Sequence, residues 1–239
     1  MMDIDKYERP ALQFSGGKDS LACLYLLRDK LDKLTVYHLD TGDCIPETVA
    51  VVEEVRAWVP NFVVIQSSVA KWRQEYGYPS DLMPAKAHWL GVAYGMNKFR
   101  LSNRFDCCWS NLMAPMHQQM IDDGVDLVIR GTKQCDTGTI PHEGKDDFYE
   151  VALPIKNWTH EEVFEYLHSV GAPQNAVYEY YKNISAPECL GCTAWWDDNK
   201  AAYLKARHPE KLQEYRANLF AIAGTLQSHL ADLYTELKE

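Results

Sequence analysis

The chain has 239 residues, 46% of them apolar and 24% charged, with 24 Lys and Arg against 34 Asp and Glu for a net charge of −10. Those proportions exclude wholesale disorder, collagen-like repeats and coiled coils. The acidic balance also argues against a general nucleic-acid or anionic-membrane binder, because no whole-molecule positive field draws phosphates in, so nucleic acid enters only if a partner or a local basic patch supplies the contacts. The opening MMDIDKYERP lacks the apolar core of a signal peptide, and no apolar run approaches the roughly 20 residues that span a bilayer, so a cytoplasmic chain with no membrane partner is expected.

In chain order, ALQF (11–14) predicts a first strand, Ser15-Gly16-Gly17 a tight turn, and LACLYLL a helix behind it. LTVYHLD (34–40) predicts a second strand closed by Thr41-Gly42-Asp43. PETVAVVEEVRAWV (46–59) places Pro46 at the first position of a helix with apolar residues at helical spacing. NFVVIQSS (61–68) predicts the third strand. Within 69–106 the pattern is weaker, with 77–85 reading as a loop and 90–105 as a helix. DLVIRGT (126–132) and FYEVALPI (148–155) predict strands four and five. Beyond Pro154 the texture turns helical: Thr159-His160-Glu161-Glu162 has the capping-box pattern, and the chain from Asp197 onward is strand-free.

Strands alternating with helices imply an α/β fold, a doubly wound and mostly parallel five-stranded sheet with a C-terminal helical appendage. The expected organisation is a nucleotide-binding α/β domain over 1–155 and a helical region over 156–239. Ligands in such sheets sit at the carboxyl ends of the strands, so the turns at 15–20, 41–43 and 131–136 are expected to gather on one edge.

The first chemical constellation is Ser15-Gly16-Gly17-Lys18-Asp19-Ser20, between a strand and a helix. Two glycines let the backbone approach phosphate oxygens, the helix N-terminus aims free N–H groups at an anion, and Lys18 adds a charge. It is not the Walker pattern, since Asp19 follows the lysine. The second is cysteine. Seven are present, an odd number that is no disulfide framework for a reducing compartment. Cys107-Cys108 and Cys189-Leu190-Gly191-Cys192 are the tight pairs, and four thiolates suit zinc or an iron–sulfur cluster. Cys23 reads as core; Cys44 and Cys135 fall beside the expected nucleotide edge; His38 reads as structural.

SGGKDS (15–20) resembles the PP-loop of the N-type ATP pyrophosphatases. HLDTGD (38–43) with Pro46-Glu47-Thr48 resembles the second motif of the phosphoadenosine phosphosulfate (PAPS) reductase family, Arg130-Gly131-Thr132-Lys133 its basic loop, and PIKNWTHEEVFEYL (154–167) its post-sheet helix. The motifs stand in the family's order over roughly residues 10–195. The resemblance implies an adenine nucleotide alpha-hydrolase-like fold. It further implies an adenine nucleotide (ATP, or adenylylsulfate or PAPS) bound by Ser15, Gly16, Gly17, Lys18, Asp19, Ser20, Asp40, Thr41, Gly42, Gly131 and Lys133. Lys18, Asp19 and Arg130 would be catalytic, with Mg2+ held near Asp19. The CC…CxxC pattern resembles that of the adenylylsulfate reductases, whose pairs hold a 4Fe-4S cluster, which would assign Cys107, Cys108, Cys189 and Cys192 as metal ligands.

Two departures from the reductases shape the expectation. Where those enzymes carry Arg-Lys after the cysteine pair, this chain has Asn111 and Leu112. Their cysteine nucleophile lies in a C-terminal segment, and here no cysteine follows Cys192. The expected function is therefore an iron–sulfur enzyme of sulfur metabolism performing ATP-dependent, adenylating sulfur transfer. The alternatives are sulfonucleotide reduction to sulfite and a non-catalytic nucleotide- or redox-sensing subunit. An electron donor or sulfur donor protein is the expected partner, and a homo-oligomer stays open.

Overall fold

The computed structural model describes residues 3–138, 142–181, 186–196 and 200–238. Its elements begin β1 (Pro10–Gln13), α1 (Lys18–Leu26), β2 (Thr35–Asp40), α2 (Pro46–Arg56) and β3 (Phe62–Gln66), then α3 (Val69–Tyr76), β4 (Tyr78–Ser80), α4 (Trp89–Ala93), β5 (Leu101–Asn103), α5 (Arg104–Cys108) and α6 (Ala114–Asp122). They continue with β6 (Leu127–Ile129), α7 (Gln134–Thr137), β7 (Gly144–Lys145), β8 (Glu150–Ala152), α8 (His160–Ser169), α9 (Lys200–Arg207) and α10 (Pro209–Glu236). Asp197, where the helical tail is expected to begin, lies outside the described residues.

The chain makes two compact units: residues 1–40, 44–67 and 114–188 form one, and 41–43, 68–113 and 189–239 the other. The first unit holds a six-stranded sheet in the order β3-β2-β1-β6-β8-β7. The five strands expected from the sequence are all present and parallel, with Leu12 opposite Val36 and Ile129, and Val128 opposite Val151. The added sixth, β7, runs antiparallel to β8 at the edge. Two residues long and without an apolar pattern, it gives periodicity nothing to detect.

Alternation along the strands makes two cores, one on each sheet face. Leu12, Phe14, Val36, Leu127 and Ile129 point into a cluster with Leu21 and Leu24 of α1, Val52 and Val55 of α2, and Val163 of α8. Ala11, Tyr37, Val128 and Val151 point the other way, against Met120 of α6. The sheet is therefore covered on both faces, as a parallel sheet requires. From β1 the chain winds to β2 and β3 on one side, while β6 pairs on the other flank of β1. The winding thus reverses between β1 and β6, and their carboxyl ends frame the crevice where such sheets place ligands.

In the second unit β4 and β5 pair in parallel, Tyr78 with Leu101 and Ser80 with Asn103. They pack with Ile222, Leu219 and Leu226 of α10. This corrects part of each expectation: β4 falls in the expected loop at 77–85, and of the expected helix at 90–105 only its ends, in α4 and α5, are helical, with β5 between them. Strands of three residues are too short to show an alternation, and only their pairing across 20 intervening residues (81–100) makes them strands. Among the described residues no helix is long and apolar enough to cross a membrane.

His38 sits on β2 only 6% exposed, its Nδ1 2.9 Å from the Phe14 carbonyl oxygen. Burial pushes its pKa below the ordinary 6.5. The unfolded chain then binds the proton more readily than the folded one, so stability present above pH about 6.5 is lost as pH falls towards the folded value. Urea unfolding is expected to show a lower midpoint at about pH 5.5 than at about 7.5, with a smaller difference in H38Q. An identical difference in the variant would remove His38 from that account.

Candidate functional site

The carboxyl end of β1 opens into Ser15–Ser20. Gly16 takes φ +80°, and a Cβ on it would lie 2.6 Å from Val52 Cγ2 and 2.8 Å from Thr48 Cγ2, so the turn admits glycine alone. The Asn175 amide ties the turn down, donating to Gly16 O at 3.3 Å and Thr48 Oγ1 at 2.9 Å. Ser20 Oγ donates to Gly17 O at 3.0 Å and lies 3.3 Å from Ser15 Oγ, while the Gly17 amide donates to Ser15 Oγ at 3.2 Å. At the start of α1 the Lys18 amide donates to the Tyr178 hydroxyl at 3.0 Å, so an oxygen already occupies one of the free N–H groups of that terminus.

The carboxyl end of β6 brings the third predicted turn, 131–136, to the first. A Cβ on Gly131 would lie 2.6 Å from the Asp19 carbonyl carbon and 2.8 Å from Ser20 N, which puts backbone against backbone at the sheet's switch point. Two ammonium groups converge there on one carboxylate. Lys18 Nζ lies 2.9 Å from Asp19 Oδ2, and Lys133 Nζ 2.6 Å from Asp19 Oδ1 and 2.8 Å from Asp136 Oδ2. Lys18 and Lys133 are 2% and 0% exposed, so their charges stand in a poorly solvated setting where they act more strongly than in water. Burial works against the Lys133 ammonium, but the carboxylates of Asp19 and Asp136 prevail and push its pKa up. Arg130 donates from Nη2 to the Tyr149 hydroxyl at 3.5 Å, and its buried Nε has no partner among the described residues. Lys18 also faces a cavity of about 720 Å³ lined by Leu21, Phe164, Leu167, Asn175 and Tyr178, within the size range of small-molecule pockets.

Of the remaining predicted nucleotide residues, Asp40 ends β2 and accepts from Cys44 Sγ at 3.5 Å. Thr41 and Gly42 belong to the second compact unit. There Thr41 is fully buried and lies 3.5 Å from Cys189 Sγ.

That unit holds the cysteines. Cys107, Cys108, Cys189 and Cys192 line one small pocket, with Arg73, Arg104 and Asn111. The adjacent pair ends α5, which continues into a π-helical stretch, Trp109–Met113; such insertions recur at functional sites. Asn111 lies in that stretch and donates to Cys107 O at 2.9 Å. The Cys-x-x-Cys turn hangs on Asp43, which accepts from Leu190 N at 2.7 Å through its carbonyl and from Gly191 N at 3.0 Å through its carboxylate. Arg73 pairs with the same carboxylate at 2.7 Å. The Lys200 ammonium, 2% exposed, donates to the carbonyls of Cys189 and Cys192 at 3.0 and 3.1 Å. Burial pushes the Cys107 thiol up to about 12 and the Cys189 thiol up as well, so the thiolates a metal needs require a cation to compensate them.

Arg73, Arg104 and Lys200 were not singled out from the sequence. Arg73 and Arg104 bring positive charge to the pocket where the chain carries Asn111 and Leu112, whereas burial pushes the pKa of the Lys200 ammonium down; neither spacing nor pattern ties any of the three to the cysteines. Four sulfur donors lining one pocket suit either a zinc ion or an iron–sulfur cluster.

A third grouping escaped the sequence reading. Cys135, Asp136 and His160 bring a sulfur, a carboxylate oxygen and a ring nitrogen within 4.8 Å of one another. His160 reads from the sequence only as part of the capping box, which is indeed present: Thr159 Oγ1 accepts from Glu162 N at 3.2 Å and Glu162 accepts from Thr159 N at 2.7 Å.

Residues 9–194 match the family model of the phosphoadenosine phosphosulfate reductase domain. An uncharacterized protein of Methanocaldococcus jannaschii is 27% identical over 198 residues, which cover 80% of this chain and 37% of that protein. The chain thus spans little more than a third of that relative's length. The phosphoadenylyl-sulfate reductase of Candida auris, solved as a phosphate complex, superposes with a TM-score of 0.53 at 15% identity, covering 74% of this chain and 79% of that one, a likeness of fold. An NH3-dependent NAD synthetase of Campylobacter jejuni gives a TM-score of 0.46 at 12% identity, covering 91% and 86%.

Proposed function

The chain belongs to the phosphoadenosine phosphosulfate reductase domain family, and from that premise we propose that it is an enzyme that binds ATP on the glycine turn, adenylates an acceptor and transfers sulfur to it. The observation that carries this reading is the pair of buried ammonium groups, Lys18 and Lys133, meeting at Asp19 where the winding reverses. An acceptor oxygen attacks the α-phosphorus and pyrophosphate leaves with the bonding pair; a sulfur nucleophile then displaces AMP together with that oxygen. Negative charge gathers on the departing pyrophosphate. Lys18, Lys133 and Arg130 meet it as fixed cations whose orientation is set before the reaction, which is where electrostatic stabilisation is strongest. Asp19 holds the two ammonium groups in place, and Mg2+ near it would share the phosphate charge.

Cys107, Cys108, Cys189 and Cys192 would hold a 4Fe-4S cluster, which when bound supplies electrons or an iron site for the moving sulfur. Arg73 and Arg104 line that pocket and offset the anionic charge of four thiolates. Lys200 fixes the carbonyls of the Cys-x-x-Cys turn. A protein that donates sulfur or electrons is the expected partner.

The test is anaerobic calorimetry of iron-reconstituted protein against Mg-ATP, adenylylsulfate and PAPS in parallel. Preference for Mg-ATP, weakened at least tenfold in K18A, is the expected result. Preference for a sulfonucleotide would replace this reading with reduction to sulfite, and binding of none of the three would leave a subunit without the chemistry. In the same preparations about four irons per chain are expected, falling to a small fraction of that in a C108A/C192A variant. Undiminished iron in that variant would overturn the assignment of the cysteines.

A further inference from the structure

We propose that Cys135, Asp136 and His160 form a binding site for a divalent transition-metal ion of the zinc type, distinct from the four-cysteine pocket. Asp136 Oδ1 is the common vertex, 4.0 Å from Cys135 Sγ and 3.7 Å from His160 Nε2, and all three donor atoms lie within 4.8 Å of one another. Tetrahedral zinc with bonds of about 2.0–2.3 Å has ligand–ligand edges of roughly 3.3–3.6 Å, so shifts of a few tenths of an ångström to about 1 Å would close the site.

The donor set is chemically selective. One sulfur, one imidazole and one carboxylate suit a borderline ion such as zinc or cobalt, and disfavour magnesium, which takes oxygen ligands. Three protein ligands with a fourth position left open is the pattern of reactive rather than structural zinc sites.

The surroundings fit a site more closely than a chance approach. Cys135 is exposed, which gives an ion its entry path, and on losing its proton to ligate, its Sγ gives up the donation it makes to Trp158 O at 3.4 Å. The His160 ring is only 15% exposed, and it is Nε2 that faces the Asp136 carboxylate. Asp136 is held by Lys133, whose ammonium lies 2.8 Å from Oδ2 and 3.1 Å from Oδ1, the oxygen that would meet the ion, and whose amide donates to Oδ2 at 3.2 Å. A ligating carboxylate oriented by a second shell of this kind is the usual arrangement. The capping of α7 by Asp136 accounts for that residue alone. It explains neither the imidazole nor the thiol beside it.

The experiment uses iron-reconstituted protein, in which the four other paired cysteines are engaged, titrated anaerobically with Co2+. The difference spectrum between wild type and each variant cancels the iron chromophore. One Co2+ per chain is expected, with a thiolate-to-cobalt charge-transfer band that C135S abolishes. H160A should weaken uptake at least tenfold, and C44S should leave it unchanged. Equal cobalt uptake in wild type and H160A, or a charge-transfer band that survives C135S, would overturn the proposal, as would wild-type protein that takes up no Co2+ at all. Because the readout is metal binding without nucleotide, its failure leaves the reading of the glycine turn untouched, and failure of that reading leaves this one standing.

Discussion

Replacing Gly131 with alanine is expected to cost about 2–3 kcal/mol of stability, the upper range for forcing one extra carbon into a packed site, and to weaken nucleotide binding at least tenfold. The new Cβ would stand 2.6 Å from Asp19 C, 2.8 Å from Asp19 O and 2.8 Å from Ser20 N. All three are backbone atoms, so no rotamer change relieves the contact. The β6 loop and the first turn of α1 must move apart, and Lys133 leaves Asp19 as they do. The natural contrast is Gly224, inside α10, where an added Cβ meets nothing within 4 Å. Alanine there should raise stability by roughly 0.5–1 kcal/mol, because glycine loses more backbone freedom on entering a helix. Denaturant midpoints of the two variants should therefore move in opposite directions. If G131A unfolds with wild-type stability and binds nucleotide normally, the close approach of the two turns is not what builds the site.

What a sequence can show is local, and the molecule divides along that line. The five parallel strands were legible because each is an apolar run ending in a polar turn. The glycine turn was legible because Gly-Gly-Lys between strand and helix has few other uses. Lys133 stood out as part of a basic loop, but its contact with Asp19 did not, since 113 residues separate the two (20–132) and only the pairing of β6 beside β1 joins them. The same holds for Arg73 and Asp43, and for Lys200 and the Cys189 and Cys192 carbonyls. Salt bridges and carbonyl contacts leave no periodicity. His160 illustrates a different limit: its position in a capping box explained it fully at the level of sequence, and a satisfied local explanation concealed its approach to Cys135. The strands β4 and β5 were missed because each is shorter than the period needed to recognise it.

Lys133 carries the second large expectation. Its side chain is fully buried and neutralised by Asp19 and Asp136, whose own side chains are 16% and 18% exposed. Truncating one member of a buried ion pair costs about 3–5 kcal/mol, and the partial exposure of the two carboxylates brings the expected loss for K133M down to about 2–3 kcal/mol. Methionine nearly conserves volume, so the loss measures charge rather than packing. Most of it comes from Asp136, since Asp19 keeps Lys18 at 2.9 Å. Removing that stranded charge should therefore restore stability: D136N is expected to be destabilising alone but to recover at least half of the loss in the K133M background, a coupling that a double-mutant cycle by urea unfolding reads directly. Nucleotide binding should behave differently, because D136N neutralises the stranded carboxylate without replacing the ammonium. K133M and the double variant should both bind Mg-ATP at least tenfold more weakly than wild type. The separation of the two readouts is the point of the design. Stability recovered without affinity would mark Lys133 as a cation held ready for phosphate, whereas affinity recovered along with stability would reduce it to a structural counter-ion.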